Sequence, residues 1–261
     1  MIMIRKQFGI VIAMVLAMVI CGCSSFSDEK DIPAPSPAPT PAVVVEPLVP
    51  EEAETEQEIS EEVTEPDPER SFYIEEISDE VFSRMEGKSF PEECTTPRED
   101  LRYLHLMYVD IDGNSHEGEM VCNKVIAEKL VDIFKKLYEA GYPIERMTLI
   151  DDYDADDNAS MSDNNTSCFN FRFVAGTTRL SNHASGLAVD LNPLYNPYIR
   201  EKDGKTLIDP PEGEKYADRS KDFDYKIDED DLAYKLFTEA GFEWGGAWTT
   251  KKDYQHFQYL Q

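Results

Sequence analysis

Ser181-Asn182-His183-Ala184-Ser185-Gly186-Leu187-Ala188-Val189-Asp190 is a polar turn that runs into a short apolar strand. Gly186 supplies the turn, and Leu187 to Leu191 reads as a strand. His183 and Asp190 stand seven residues apart, on either side of the glycine. A turn can fold them toward one point. A second histidine lies in Asp253-Tyr254-Gln255-His256-Phe257, where Tyr254 to Tyr259 also reads as a strand.

Working outward, Leu101 to Val109 alternates and is rich in strand formers. Asp112-Gly113 follows as a turn. Val121, Val125, Leu130, Ile133, Phe134 and Leu137 recur at helical spacing, so Glu119 to Ala140 reads as a helix that Gly141 and Pro143 end. Arg146 to Ile150 and Cys168 to Val174 read as short strands, with a polar loop over Asp151 to Thr166 between them. Residues 194–227 read as a long polar insertion, and Asp230 to Ala240 as a second helix stopped by Gly241. Helices and strands mix without a regular βαβ repeat, so the class is α+β. The expectation is a small mixed domain, residues 71–261, around a central antiparallel sheet that carries the site.

Residues 1–70 read differently. Arg5 and Lys6 precede an uncharged apolar run from Phe8 to Ile20, shorter than the ~20 residues that span a bilayer. A signal peptide over residues 1–22 fits better. Gly22-Cys23 resembles a bacterial lipobox, which makes Cys23 the expected lipidated residue. The bulk of the chain is then extracytoplasmic and anchored to the membrane by lipid. Residues 23–70 read as a disordered tether, with nine of the 16 prolines falling in residues 31–70. The formal charge is -28. The first 27 residues carry +2 and residues 28–70 carry -12, which leaves -18 for the domain. That balance excludes bare nucleic acid, whose phosphates need a cationic face.

Two imidazoles and one carboxylate make a catalytic zinc set, in which a fourth position is left for water. Zinc brings that water's pKa to about 7, and a nearby free carboxylate can move its proton. Asp253, three residues before His256, is the candidate. His105 sits in a plain alternating strand and His116 after a turn, so both read as ordinary packed or solvated side chains. Cys94, Cys122 and Cys168 match no zinc ribbon; one disulfide is conceivable, with no pair selected.

Ser-x-His-x-x-Gly-x-Ala-x-Asp over 181–190, followed by Asp-x-x-His-Phe over 253–257, resembles the M15 metallopeptidases. Asp190-Leu191-Asn192-Pro193, Asn196-Pro197-Tyr198 and Trp244-Gly245-Gly246-Ala247-Trp248 look like the VanY-like D-alanyl-D-alanine carboxypeptidase branch. The resemblance runs over about 71–261. It implies Zn2+ held by His183, Asp190 and His256, with Asp253 as the catalytic acid/base. It also implies an arginine on a strand upstream of the first ligand, which steadies the oxyanion or holds substrate. Arg172 fits that place, against the alternative of a structural salt bridge, and Arg179 fits less well. Ser181 resembles a serine that faces substrate, although a loop-stabilising hydroxyl is the competing reading.

The implied activity is hydrolysis of peptidoglycan stem peptides by zinc-bound water, with removal of a terminal D-alanine. The alternatives are L-alanyl-D-glutamate endopeptidase activity and a non-catalytic wall-binding lipoprotein. Ala247 departs from an Asp that similar proteins often carry. Trp244 and Trp248 are candidates to line the cleft, with at least one of them expected in the core. Asp152 to Asp156 with Asp163 is loosely similar to a calcium loop, but Asp157 replaces the glycine such a loop needs.

Overall fold

The computed structural model describes residues 71–174 and 177–260. The expected signal peptide (1–22), the lipidation site Cys23 and the tether 23–70 lie outside the described residues. The first part of the domain holds β1 (Tyr73–Glu76), α1 (Asp79–Met85), β2 (Leu101–Val109), β3 (Ser115–Asn123), α2 (Ala127–Glu139) and α3 (Asp157–Ser162). Next come β4 (Ala188–Asp190), β5 (Tyr198–Lys202), β6 (Lys205–Asp209), α4 (Leu232–Glu239), β7 (Phe242–Trp244), β8 (Lys251–Asp253) and β9 (His256–Tyr259). No helix among the described residues is long and apolar enough to cross a membrane.

The strands form three small antiparallel sheets, β1-β2-β3, β4-β9-β7 and β6-β5-β8, rather than one central sheet. The mixed α+β class holds, but no single sheet carries the site. The scaffold is the long β2-β3 hairpin, paired from Leu101↔Asn123 to Val109↔Ser115. Helix α2 lies against it. Leu130, Ile133, Phe134 and Leu137 recur at helical spacing and are all buried. Each such side chain contributes roughly 1.5–3 kcal/mol by leaving water. Phe237 of α4 meets Phe134 edge-on at 6.2 Å and stacks on Phe257 of β9 at 4.4 Å. Thus the core that joins the two helices also holds the strand bearing His256.

The expected helix over Glu119 to Ala140 is corrected at its start. Glu119–Asn123 belongs to β3, and the helix begins at Ala127. Val121 and Val125 fall at helical spacing by coincidence. The partner of this segment is β2, from His105↔Glu119 to Leu101↔Asn123 across the Asp112-Gly113 turn, and a local periodicity does not see it. Cys122 is accordingly a buried strand residue, not a helical one.

Two expected strands are extended chain without a continuous ladder. In 146–150, Thr148 N–H donates to the Asn165 side-chain Oδ1 at 2.9 Å, so a side-chain amide stands in for a neighbouring strand. In 168–174, the backbone N–H groups of Phe169, Asn170 and Phe171 donate to Val121, His183 and Ser89. Three different segments share that backbone, and no single strand pairs with it. The polar insertion over 194–227 holds the β5-β6 hairpin, closed by the two-residue turn Asp203-Gly204.

Candidate metal centre and its cleft

His183 lies in a 3-10 turn, Asn182–Ser185. Ser181 caps that turn, its Oγ accepting from His183 N–H at 3.3 Å. Gly186 follows at φ +67, where a Cβ would stand 2.7 Å from the Asn123 nitrogen at the end of β3. Only glycine lets the turn sit against the hairpin there. Asp190 ends β4, directly opposite His256 on β9. Opposed residues share a sheet face, so the pairing brings carboxylate and imidazole together.

The three side chains converge. His183 Nε2 is 3.1 Å from His256 Nδ1 and 3.2 Å from Asp190 Oδ2, and His256 Nδ1 is 3.0 Å from Asp190 Oδ1. All three residues are buried. Four ligands held at about 2.0–2.1 Å in a tetrahedron around zinc stand roughly 3.3 Å apart. The observed spacings are close to those edges. The outer contacts also suit a metal. His183 Nδ1–H donates to the Cys168 carbonyl at 2.6 Å, which leaves Nε2 as a lone pair facing the cluster. His256 presents Nδ1 and turns Nε2 to Gln258 Oε1 at 3.3 Å. Burial alone would raise the Asp190 carboxyl, but the two imidazoles outweigh it and hold it well below the usual carboxylate range. A donor set of two nitrogens and a carboxylate, with oriented rings, fits a zinc-type ion.

Asp253, on β8, lines the same cleft. Its Oδ1 is buried and has no hydrogen-bond partner among the described residues. Gly245 lies against it, where a Cβ would meet the Asp253 carbonyl oxygen at 2.7 Å and the Asp253 Cβ at 2.8 Å. Burial, reinforced by the Asp190 charge, pushes the Asp253 carboxyl up to about 6 against the pull of the imidazoles and Lys251. Asp190 and Asp253 therefore sit in one cleft with their proton affinities driven apart. One is kept as a ligand-ready carboxylate, and the other is poised to take and give a proton near neutral pH.

The cleft has a volume of about 340 Å³. Arg172 lines it, and its guanidinium is gripped by Asp157 of α3 through Nε (3.0 Å) and Nη2 (2.7 Å). Arg172 is therefore a cleft residue held in a salt bridge. Ser181 likewise lines the cleft while capping the turn. Arg179 is an exposed member of the same wall. Trp248 lines the cleft with its ring 5.5 Å from that of His256, whereas Trp244 is core, its Nε1–H donating to the Tyr254 carbonyl. Ala247 is exposed beside Trp248.

The acidic loop has structural tasks. Asp152 pairs with Arg84, Asp163 with Arg146, and Asp156 caps α3. His105 contacts the Ser71 carbonyl and His116 pairs with Asp110, both away from the cleft. Cys94, Cys122 and Cys168 are free thiols.

Charge is distributed unlike the chain as a whole. Four basic residues line the cleft: Arg172, Arg179, Arg200 and Lys251. Four acidic residues line it as well: Asp157, Asp190, Asp209 and Asp253. Across the sequence, bases number 25 against 53 acids. Tyr198, Arg200, Lys251 and Gln255 escaped sequence reasoning. The signal for the first two was the Asp203-Gly204 turn between two extended runs, a strong hairpin mark.

Residues 175–259 match a protein-family model described as D-alanyl-D-alanine carboxypeptidase, of the M15 peptidases. The match supports an M15 peptidase. It spans Ser181, His183, Asp190, Asp253 and His256, and begins after Arg172. No curated protein and no solved structure matches the chain.

Proposed function

We propose that the chain is a zinc-dependent peptidase that trims peptidoglycan stem peptides, removing a terminal D-alanine. The observation that carries this reading is the convergence of His183, Asp190 and His256 in one cleft with Asp253, whose buried Oδ1 has no partner among the described residues. The ion would be held by the two imidazoles and Asp190, and when bound would supply Lewis-acid polarisation of the scissile carbonyl and a more acidic water. Asp253 takes the proton of the attacking water as its oxygen bonds to the carbonyl carbon. The same proton then goes to the amide nitrogen as the C–N bond breaks, and the remaining hydroxyl proton of the new acid follows it to the amine, which gives a carboxylate and an ammonium. Arg172, oriented by Asp157, steadies negative charge on the carbonyl oxygen or on the substrate. Ser181 holds the His183 turn and adds a hydroxyl to the wall.

The test is digestion of purified muropeptides by zinc-loaded protein, read by mass spectrometry. Loss of one D-alanine from pentapeptide stems is expected. Cleavage between L-alanine and D-glutamate would replace this specificity with the endopeptidase one. Cleavage of no muropeptide would overturn the peptidase reading in favour of a wall-binding role.

For location we propose an extracytoplasmic domain tethered through lipidated Cys23, on the strength of the apolar run, Gly22-Cys23 and the proline-rich acidic stretch. Metabolic labelling with palmitate should mark the wild type and not Cys23→Ala. Equal labelling of both would remove the anchor.

A further inference from the structure

One wall of the cleft is a single sheet face. In β6-β5-β8, Tyr198 stands opposite both Asp209 and Asp253, and Arg200 stands opposite Lys251. Side chains alternate faces along a strand, and directly opposed residues share one. These five therefore point the same way, and all five line the cleft. Ile199, Ile208 and Lys252 belong to the other face.

Two cations on this face are incompletely used. Arg200 donates Nη2 to Asp209 at 2.9 Å and lies over the Tyr198 ring at 5.3 Å. Its Nε is buried without a partner among the described residues. A buried guanidinium N–H that no acceptor meets is unfavourable, and a ligand oxygen would relieve it. The Lys251 ammonium rests on aromatic faces, 4.5 Å over Trp248 and 5.5 Å over Tyr198. Gln255, 2% exposed in the same cleft, also has an Oε1 that is unpartnered among the described residues. Unsatisfied polar atoms thus gather where a polar ligand would fit.

Their position says which part of a ligand. Asp253 shares this face and, on the proposed function, protonates the departing amine. The departing residue then lies along the wall that carries Arg200 and Lys251. In an α-amino acid one carbon separates amine and carboxylate. We propose that Arg200 and Lys251 bind the α-carboxylate of the departing residue, so that the cleft selects peptides whose departing residue carries a free carboxylate. This rests on the peptidase reading above. A planar guanidinium with a free N–H beside a point-charge ammonium suits a carboxylate better than an amide.

The test uses zinc-loaded Asp253→Asn protein, which cannot turn over, and calorimetry with N-acetyl-L-lysyl-D-alanyl-D-alanine and its C-terminal amide. The acid should bind at least tenfold tighter than the amide. Arg200→Gln should weaken acid binding by about tenfold to a hundredfold and leave amide binding unchanged. Arg200→Lys should restore part of the preference. Lys251→Gln, which breaks no carboxylate pair, should lower it at least threefold and carries the comparison should Arg200→Gln fail to fold. Equal binding of acid and amide, or a preference that survives both Gln variants, overturns the assignment. If acid preference is seen but the Asp253-intact protein cuts no muropeptide, the peptidase reading falls and the carboxylate site stands. If muropeptides are cut while acid and amide bind alike, the reverse holds.

Discussion

Glu119 in the β1-β2-β3 sheet and Asp253 in the cleft are both carboxylates drawn inward, and their surroundings treat them differently. Glu119 accepts from both terminal nitrogens of Arg84, from the Tyr103 hydroxyl and from the Thr148 hydroxyl. Burial would raise it, but Arg84 wins and its carboxyl is lowered. Asp253 Oδ1, Arg200 Nε and Gln255 Oε1 have no such partners among the described residues, and all three residues line the cleft. Buried charge alone therefore does not mark a site in this protein. Buried polar atoms left unsatisfied cluster in the cleft, where three of the four such side-chain atoms among the described residues lie, the fourth being Ser89 Oγ in the scaffold.

The largest expected effect breaks the cleft side of this contrast. Asp190→Ala removes one of three converging donors and leaves two imidazoles without the carboxylate between them. Bound zinc, measured by elemental analysis of dialysed protein, should fall below stoichiometry. Turnover should drop by on the order of 10³ or more. Full zinc occupancy in this variant would show that the cluster is not the metal site.

Asp253→Asn sharpens the same side. It keeps shape and metal while removing the proton acceptor. Turnover should fall by about 10²–10⁴. Thermal stability should hold or rise, because the ionised form of a buried, unpaired carboxyl is unfavourable. Glu119→Ala makes the opposite change in the scaffold. It should cost about 1–3 kcal/mol by stranding the Tyr103 hydroxyl and leaving Arg84 with Asp152 alone, seen as a lower melting temperature with turnover per folded molecule unchanged. If Glu119→Ala lost activity at full stability, the division between scaffold and cleft would fail.

Sequence carried the metal donors because their chemistry is local. His183, Gly186 and Asp190 fall within eight residues, and Asp253 and His256 within four. Each short segment meets the other through one register, Asp190↔His256. Leu101 to Val109 was legible as a strand and α4 as a helix for the same reason. What escaped is non-local. Glu119–Asn123 kept a helix-like spacing while its partner lay across a hairpin. The backbone of 168–174 divides its bonds among three segments. Arg200 and Lys251 are about fifty residues apart, and only the β5-β8 pairing puts them on one face. The orientation of Arg172 also depends on Asp157, whose grip no spacing announces.

The smallest expected effect compares two acids raised alike for different ends. Asp231 caps α4, its Oδ1 accepting from the N–H groups of Ala233 and Tyr234 and from the Tyr142 hydroxyl at 3.3 Å. Burial pushes its carboxyl up to about 6 despite those bonds, as burial pushes Asp253. A raised acid in the folded state means that the native chain holds a proton the unfolded chain has already lost. The stability from Asp231 is then full below its ordinary value of 3.8 and is lost as pH rises through about 6. Asp231→Asn cannot titrate and still caps the helix, since Asn is as good a cap as Asp. Relative to wild type it should gain about 1–3 kcal/mol between pH 4 and 7 in urea unfolding. Its turnover should follow the wild-type pH profile, because on the proposed function the proton that matters there is on Asp253. Parallel stability curves would mean that the Asp231 carboxylate is as well satisfied as that of Glu119, and the contrast between capped and unpaired acids would then rest on Asp253 alone.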